Sequence, residues 1–522
     1  MNKRTLSLLL ALLLVVSAFA GCGGTTPAAS STPAASSSAA VESSSAAASE
    51  SAPAVASGEP TELIWIMGNP GKVPADQALV EAALDKISVE KLNVKVKTLY
   101  YDGDKTMLAL SSGEAYDMVF TCEWFNNFAV QAANGYFADL TDKVQTITPD
   151  LYKTMPDVVW EGAKIGGKIM AIPVKKDYAA EMFWRFDKKL FVEDLKMPIS
   201  DKMSFFDIEP FLKAAKDAFK KGDTVAANAE FPLHVNKAGV QGMDSDYDMI
   251  NRDVGLALPY SAIGTADENK IVITFEHKDM MDRMVAVHNW FKAGYINQDA
   301  ATVDDTGVYS AVKNGQGFYG ADAIWTGGDG YVQQISKYSG PYLSTSSIRG
   351  SMNAINAGSK NIDLALKYQE LVNTNQEYRD ILRYGVPGTH WNKTADGLAQ
   401  KTQAGRDNYG VWAFSQGSYS LSTVEAAEGV KVDPKMWDVI FNGYKDLKAT
   451  KSIGFSFDIA PVESQIAACK VIKDKYQGSL FTGTLDPNVE VPKMMKELEA
   501  AGIRDIQAEA QKQYDAYVAS KK

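Results

Sequence analysis

Beyond Glu59 the apolar positions of the chain change period several times, and each change marks an element. The unbroken run "ELIWIM" (Glu62–Met67) reads as a buried strand, closed by the Gly/Pro punctuation of "GNPGKVP". Leu79, Ala83, Leu84 and Ile87 then recur at helical spacing and predict an amphipathic helix. "NVKVKTLYY" alternates as a strand, "KTMLALSSG" is a helix terminated by Gly113, and "YDMVF" is a further strand. Strands alternating with helices predict an α/β fold: a parallel sheet covered on both faces, with ligands beyond the carboxyl ends of its strands. Those ends lead into "GNPGK" and "TCEWFNN".

A different pattern governs the start of the chain. Lys3 and Arg4 precede an apolar run from Leu6 to Phe19, and Ala20 and Gly21 lead into Cys22. The run falls short of the ~20 residues that a transmembrane helix needs, so residues 1–21 are expected to be an export signal. Small residues directly before a cysteine resemble a bacterial lipobox, which implies lipidation of Cys22. From Gly23 to Gly58 the chain is almost entirely Ser, Ala, Thr, Pro and Gly. Such a segment cannot bury enough apolar surface to offset its ordering entropy. Residues 22–58 are therefore expected to form a disordered tether reaching about 30 to 36 Å.

Charge narrows the partners. With 53 Lys+Arg against 64 Asp+Glu the net charge is -11, and loss of Lys3 and Arg4 with the signal makes the mature chain more acidic still. Nucleic acid and anionic lipid headgroups are excluded as sequence-wide attractions, so membrane attachment would rest on the acyl chains. A hydrophobic content of 46% suffices for two lobes with separate cores. Cys122 and Cys469 allow at most one disulfide, and Cys469 falls on the apolar stripe Ile466, Cys469, Ile472 as a buried thiol. No metal or cofactor is expected. The histidines at 234, 277, 288 and 390 are too scattered for ligation. "DSDYDM" (Asp244–Met249) begins like a calcium loop, but Met249 stands at the required glycine and Gly255 at the bidentate glutamate, so it reads as a polar turn. "GQGFYG" (Gly315–Gly320) matches a dinucleotide fingerprint but does not join a strand to a helix start. There is no Gly-x-Ser-x-Gly elbow.

Longer stretches carry a family resemblance. "SSGEAYDMVFTCEWFNNFAVQAANGYFADLTD", "IGGKIMAIPVKKDYAAEMFWRFDKKLF", "AVKNGQGFYGADAIW" and "GSMNAINAGSKNIDLALKYQELVNT" resemble, in that order, successive parts of family 1 extracellular solute-binding proteins of ABC importers. The resemblance continues through "NTNQEYRDILRYGVPGTHW", "GFSFD" and "ELEAAGIRDIQAEAQKQYDAY", in the manner of LplA-type lipoproteins with their own C-terminal domain. It implies a two-lobed, type II periplasmic-binding-protein-like fold with a hinge between the lobes. Residues 59–172 and about 358–400 would form one lobe, 181–349 and about 401–522 the other, with crossings at 173–180 and 350–357. The implied role is capture of a carbohydrate, an oligosaccharide in particular, for the permease subunits of an importer. The protein would be a non-enzymatic monomer, lipid-anchored on the outer face of the bacterial cell membrane.

Sugar recognition needs flat apolar surfaces for C–H faces and planar hydrogen-bonding groups for hydroxyls. The candidates are Glu123, Trp124 and Phe125 after a strand, Asp322 and Trp325 (with Asp329) before and within "TGGDGY", His390 and Trp391 in "GVPGTHWNK", and Trp412 in "NYGVWAF". Asp177 and Tyr178, at the first implied crossing, join them. Trp124 and Trp325 would face each other from opposite lobes. Trp65, Trp160, Trp290 and Trp437 sit in apolar strand or helix patterns and are expected in cores. Two other functions remain open on the residues alone. A tethered glycoside hydrolase or lyase would need a carboxylate pair that 64 acidic residues leave unidentifiable; a peptide or signal receptor would share the fold.

Overall fold

The structure, a computed structural model, describes residues 58–68, 72–220, 231–304, 308–316, 332–426, 432–444 and 447–521. Cys22, Asp322, Trp325, Asp329 and most of the "GNPGK" loop lie outside them.

The strand Thr61–Gly68 lies between Val94–Tyr101 and Met118–Thr121, parallel to both. Alternation in the second strand turns Val94, Val96 and Thr98 inward and Lys95 and Lys97 to solvent. The helix Gln77–Leu92 crosses between these strands, yet its buried face is Val80, Leu84 and Ser88, and Leu79 is exposed. The face is rotated by one position because Ser88 tolerates the interior: its hydroxyl bonds Leu84 O and Val94 O. The next helix, Gly103–Ser112, starts with the Asp102 side chain accepting from Lys105 N and stops at Gly113 with φ 73°.

The sheet is completed by Met352–Ile355, antiparallel to Met118–Thr121, and then Ile172–Pro173. The chain thus leaves this lobe after Pro173 and is back in it at Met352. In the second lobe Ala180–Asp187 pairs antiparallel with both Val312–Gln316 and Gln333–Leu343. That contrasts with the parallel pairing of the first lobe's first three strands. One strand carries the chain out of the first crossing and its neighbour carries it into the second, so the two must run oppositely.

The second crossing occupies 344–351 and not 350–357. Ser344 and Ser347 form a capping box that starts a short helix, Thr345–Ile348, directly after the strand. The expected division also shifts downstream. Residues 401–421 stay with the first lobe, where Tyr409 is core and Ser415 Oγ donates to Gly68 O. The chain passes to the second lobe through the helix Met436–Gly443, after which Lys448–Ala449 pairs parallel to Tyr342–Leu343. Among the described residues, three passages therefore join the lobes.

Each lobe has its own core. Leu63, Trp65, Trp160 and Tyr368 belong to the first, Trp184, Trp290, Met284 and Leu258 to the second. The C-terminal helices Glu463–Phe481, Pro487–Ala500 and Ile503–Ser520 add Cys469, Leu498, Ile506 and Ala510 to the second core. Trp437 is buried in a smaller cluster with Ala179, Leu398 and Tyr444. Cys122 and Cys469 are both free and buried, and burial pushes the Cys122 thiol up to about 12.

Candidate ligand-binding site

Beyond the carboxyl ends of the first lobe's central strands stands a wall of aromatic rings. The strand Met118–Thr121 runs into a turn closed by Phe128 N donating to Cys122 O at 3.0 Å and Asn126 Nδ2 to Phe120 O at 3.1 Å. The turn holds Trp124 55% exposed. Its indole N–H donates to Gly350 O of the second crossing at 2.9 Å, which fixes one edge of the ring and leaves much of its surface to solvent. Trp412, Phe125 and Phe414 surround it with centroids 5.7, 5.9 and 6.0 Å away, and buried Phe120 packs against it from the strand. Trp412 and Phe414 are themselves stacked at 5.3 Å with planes 28° apart.

Trp412 and Phe414 come from a loop pinned by a buried cation. Arg379, on the helix Gln376–Tyr384, donates Nε to Ser418 O at 2.9 Å and Nη2 to Ala413 O at 2.6 Å. Burial pushes its guanidinium down to about 9. Gly68 lets this loop meet the strand end. A Cβ there would lie 2.7 Å from the Phe120 ring and 3.2 Å from that of Trp412.

Charged groups border the wall. Glu123 is half-buried, and its N–H donates to Arg349 O at 3.3 Å. From the second lobe Arg252 pairs with Asp244 and keeps 60% of its side chain exposed. Every carboxylate of the acidic turn has a protein partner: Asp244 has Arg252, Asp246 has Arg283, and Asp248 accepts from Thr450 and Ser452. No cluster of His, Cys, Asp and Glu able to hold a metal occurs among the described residues.

Of the residues singled out in the sequence, Glu123, Trp124, Phe125 and Trp412 are brought together. His390 and Trp391 are not with them, and both occupy interior positions. His390 is fully buried, its Nδ1 accepting from Val386 N at 2.9 Å, so Nε2 carries the proton toward Asp76 at 3.0 Å. Trp391 is 6% exposed, donates to Gly385 O and packs on Tyr384. Asp177 and Tyr178 lie in the first crossing. Asp177 is buried against Lys176 at 3.0 Å, and Tyr178 spends its ring on Phe441 and Tyr444. Phe414, Phe120 and Arg252 went unrecognised; only the spacing of two in "VWAF" tied Phe414 to Trp412.

Residues 451–519 match a family described as a domain of unknown function, DUF3502. The chain is 27% identical over 467 residues to a carbohydrate ABC transporter substrate-binding protein of Streptococcus pneumoniae, covering 86% of this chain and 89% of the relative. Its fold is similar to the crystal structure of the N-glycan transport solute-binding protein NgtS of the same organism, with a TM-score of 0.76, 23% identity, and 88% of this chain and all of that one covered. That protein is also known in complex with Man1GlcNAc. An extracellular solute-binding protein from Bifidobacterium longum subsp. infantis matches with a TM-score of 0.57 and 16% identity, covering 89% of this chain and 100% of its own. In sequence the chain is similar to a carbohydrate ABC transporter substrate-binding protein, and in fold to solute-binding proteins.

Proposed function

We propose that the protein is an exported, lipid-anchored receptor that captures an oligosaccharide between its lobes and presents it to the permease subunits of an ABC importer. The observation that carries this reading is the partly exposed ring wall of Trp124, Phe125, Trp412 and Phe414, built where strand ends meet a crossing. Large aromatic rings left partly in water at such a junction serve to receive a pyranose face, and Glu123 and Arg252 supply planar groups for its hydroxyls. The named activities of the relatives support the carbohydrate class. Contacts to both lobes favour the closed arrangement through differential affinity, which lets closure report occupancy to a permease. The ligand is bound and released unchanged, by a monomer needing neither metal nor cofactor and no nucleic acid.

A thermal-shift panel of mono- and oligosaccharides, including mannose- and N-acetylglucosamine-containing glycans, tests the proposal. A true ligand stabilises the fold by about 2.7 kcal/mol at one hundred times its dissociation constant. Chromatography of the same mixtures reads hydrolysis. Stabilisation with intact sugar supports the receptor; cleaved sugar, or stabilisation by peptides and by no saccharide, overturns it.

A further inference from the structure

The region 451–519 matches a family to which no function is assigned, and its opening residues sit between the two lobes. Ile453 is buried in the first-lobe core and Phe455 in the second-lobe core, so consecutive inward residues serve opposite lobes. Gly454, between them, has φ 86°. A Cβ on it would lie 2.9 Å from the Tyr517 hydroxyl of the C-terminal helix and 3.0 Å from Glu161 O of the first-lobe helix Asp157–Gly162. Both lobes therefore close on one glycine.

Short bonds gather around it. Thr345 Oγ1, in the second crossing, donates to Ser452 O at 2.9 Å and accepts from Gly454 N at 3.0 Å. Arg349, also in that crossing and buried, donates to Gly162 O at 2.8 Å, to Lys164 O at 2.9 Å and to Ser456 Oγ at 3.1 Å. One guanidinium thus ties first-lobe backbone to the C-terminal region. Tyr517 donates to Ile453 O, and Lys521 pairs with Glu161 across the lobes. The crossing that holds these bonds is the one on which the Trp124 indole rests.

We infer that residues 452–456 are the pivot about which the two lobes turn, and that the region 451–519 is the arm that carries the second lobe around it. Contacts at a rotation axis are the ones that persist through the motion, so they are the place for close packing and buried hydrogen bonds. The peripheral, partly exposed Lys521–Glu161 pair acts as a stay that opening breaks. The inference uses the hinge closure proposed above but not the identity of the ligand.

Distances between spin labels test it in the full chain carrying Cys22→Ser. One label pair bridges the lobes, at Lys95→Cys and Lys278→Cys; a control pair, Lys95→Cys and Lys367→Cys, stays within the first lobe. Without any sugar, Gly454→Ala is expected to move or broaden the bridging distribution by more than about 2 Å, the scale of a domain rearrangement, and to leave the control unchanged. If Gly454→Ala does not fold, Tyr517→Phe combined with Lys521→Ala removes two bridging contacts without altering the backbone and is expected to do the same. A bridging distribution equal to wild type in the folded variant overturns the pivot. Because no ligand enters, that failure is distinct from an unstabilised saccharide panel, which would sink the receptor and not the pivot.

Discussion

Trp124 and Trp391 are the same residue in opposite situations. Both follow short polar stretches, and both were reasonable candidates for a sugar. Trp391 is closed over by Tyr384 and its indole N–H is spent on Gly385 O, whereas Trp124 keeps more than half its surface in water. Trp391→Ala should therefore cost about 3 to 5 kcal/mol of folding stability, read by urea unfolding. Trp124→Ala should cost only about 1 kcal/mol of stability, from lost ring contacts, while weakening saccharide binding about tenfold or more, or about 1.4 kcal/mol, read by calorimetry. A large stability loss at Trp124 with unchanged affinity would return it to the core. Nothing local separates the two tryptophans, because exposure is decided by what distant chain packs over them.

At the scale of elements, strand ends and crossings do the positioning. Gly68 ends the strand Thr61–Gly68 with no space for a side chain beneath Phe120 and Trp412. Gly68→Ala should displace the ring wall, costing about 1 to 3 kcal/mol and lowering sugar affinity, whereas Gly58→Ala, with nothing nearby, should do neither. In the first crossing, burial pushes the Asp177 carboxyl up to about 6, with Lys176 opposing it and Glu181 adding to it. A carboxyl with a raised folded pKa holds its proton more tightly folded than unfolded. It therefore lowers stability progressively as pH climbs from about 4 to about 6. Asp177→Asn does not titrate, so its stability relative to wild type should rise over that interval, measured by urea unfolding at about pH 4.5 and about pH 7. A flat or falling difference would remove the buried-carboxylate account. The helix Gln77–Leu92 turns Leu79 to solvent, against its hydrophobic spacing, for a related reason. Periodicity marks a face, but a bonded hydroxyl such as Ser88 can take an inward position that hydropathy assigns to solvent.

Over the whole molecule, the proposed arrangement is an anchor, a tether and a two-lobed receptor. Replacing Cys22 by Ala should release the chain from membranes without affecting saccharide binding by the residues after the tether, checked by fractionation and calorimetry; tight membrane attachment of the processed variant would contradict the lipid anchor. The alternating strands, the helix stops at glycine, the polar low-complexity start and the stock of aromatic rings were all determined by the sequence, because each depends on residues a few positions apart. Resemblance over long stretches carried the two-lobed organisation. Only the tertiary structure decided that Trp412 and Phe414 join Trp124, that Arg379 pins their loop, that the second crossing begins at Ser344, and that residues 401–421 remain with the first lobe. The same holds for Gly454, where close approach from both lobes and a left-handed backbone leave little room for a side chain. These are contacts between segments hundreds of residues apart, and no local pattern encodes a distance that only packing creates.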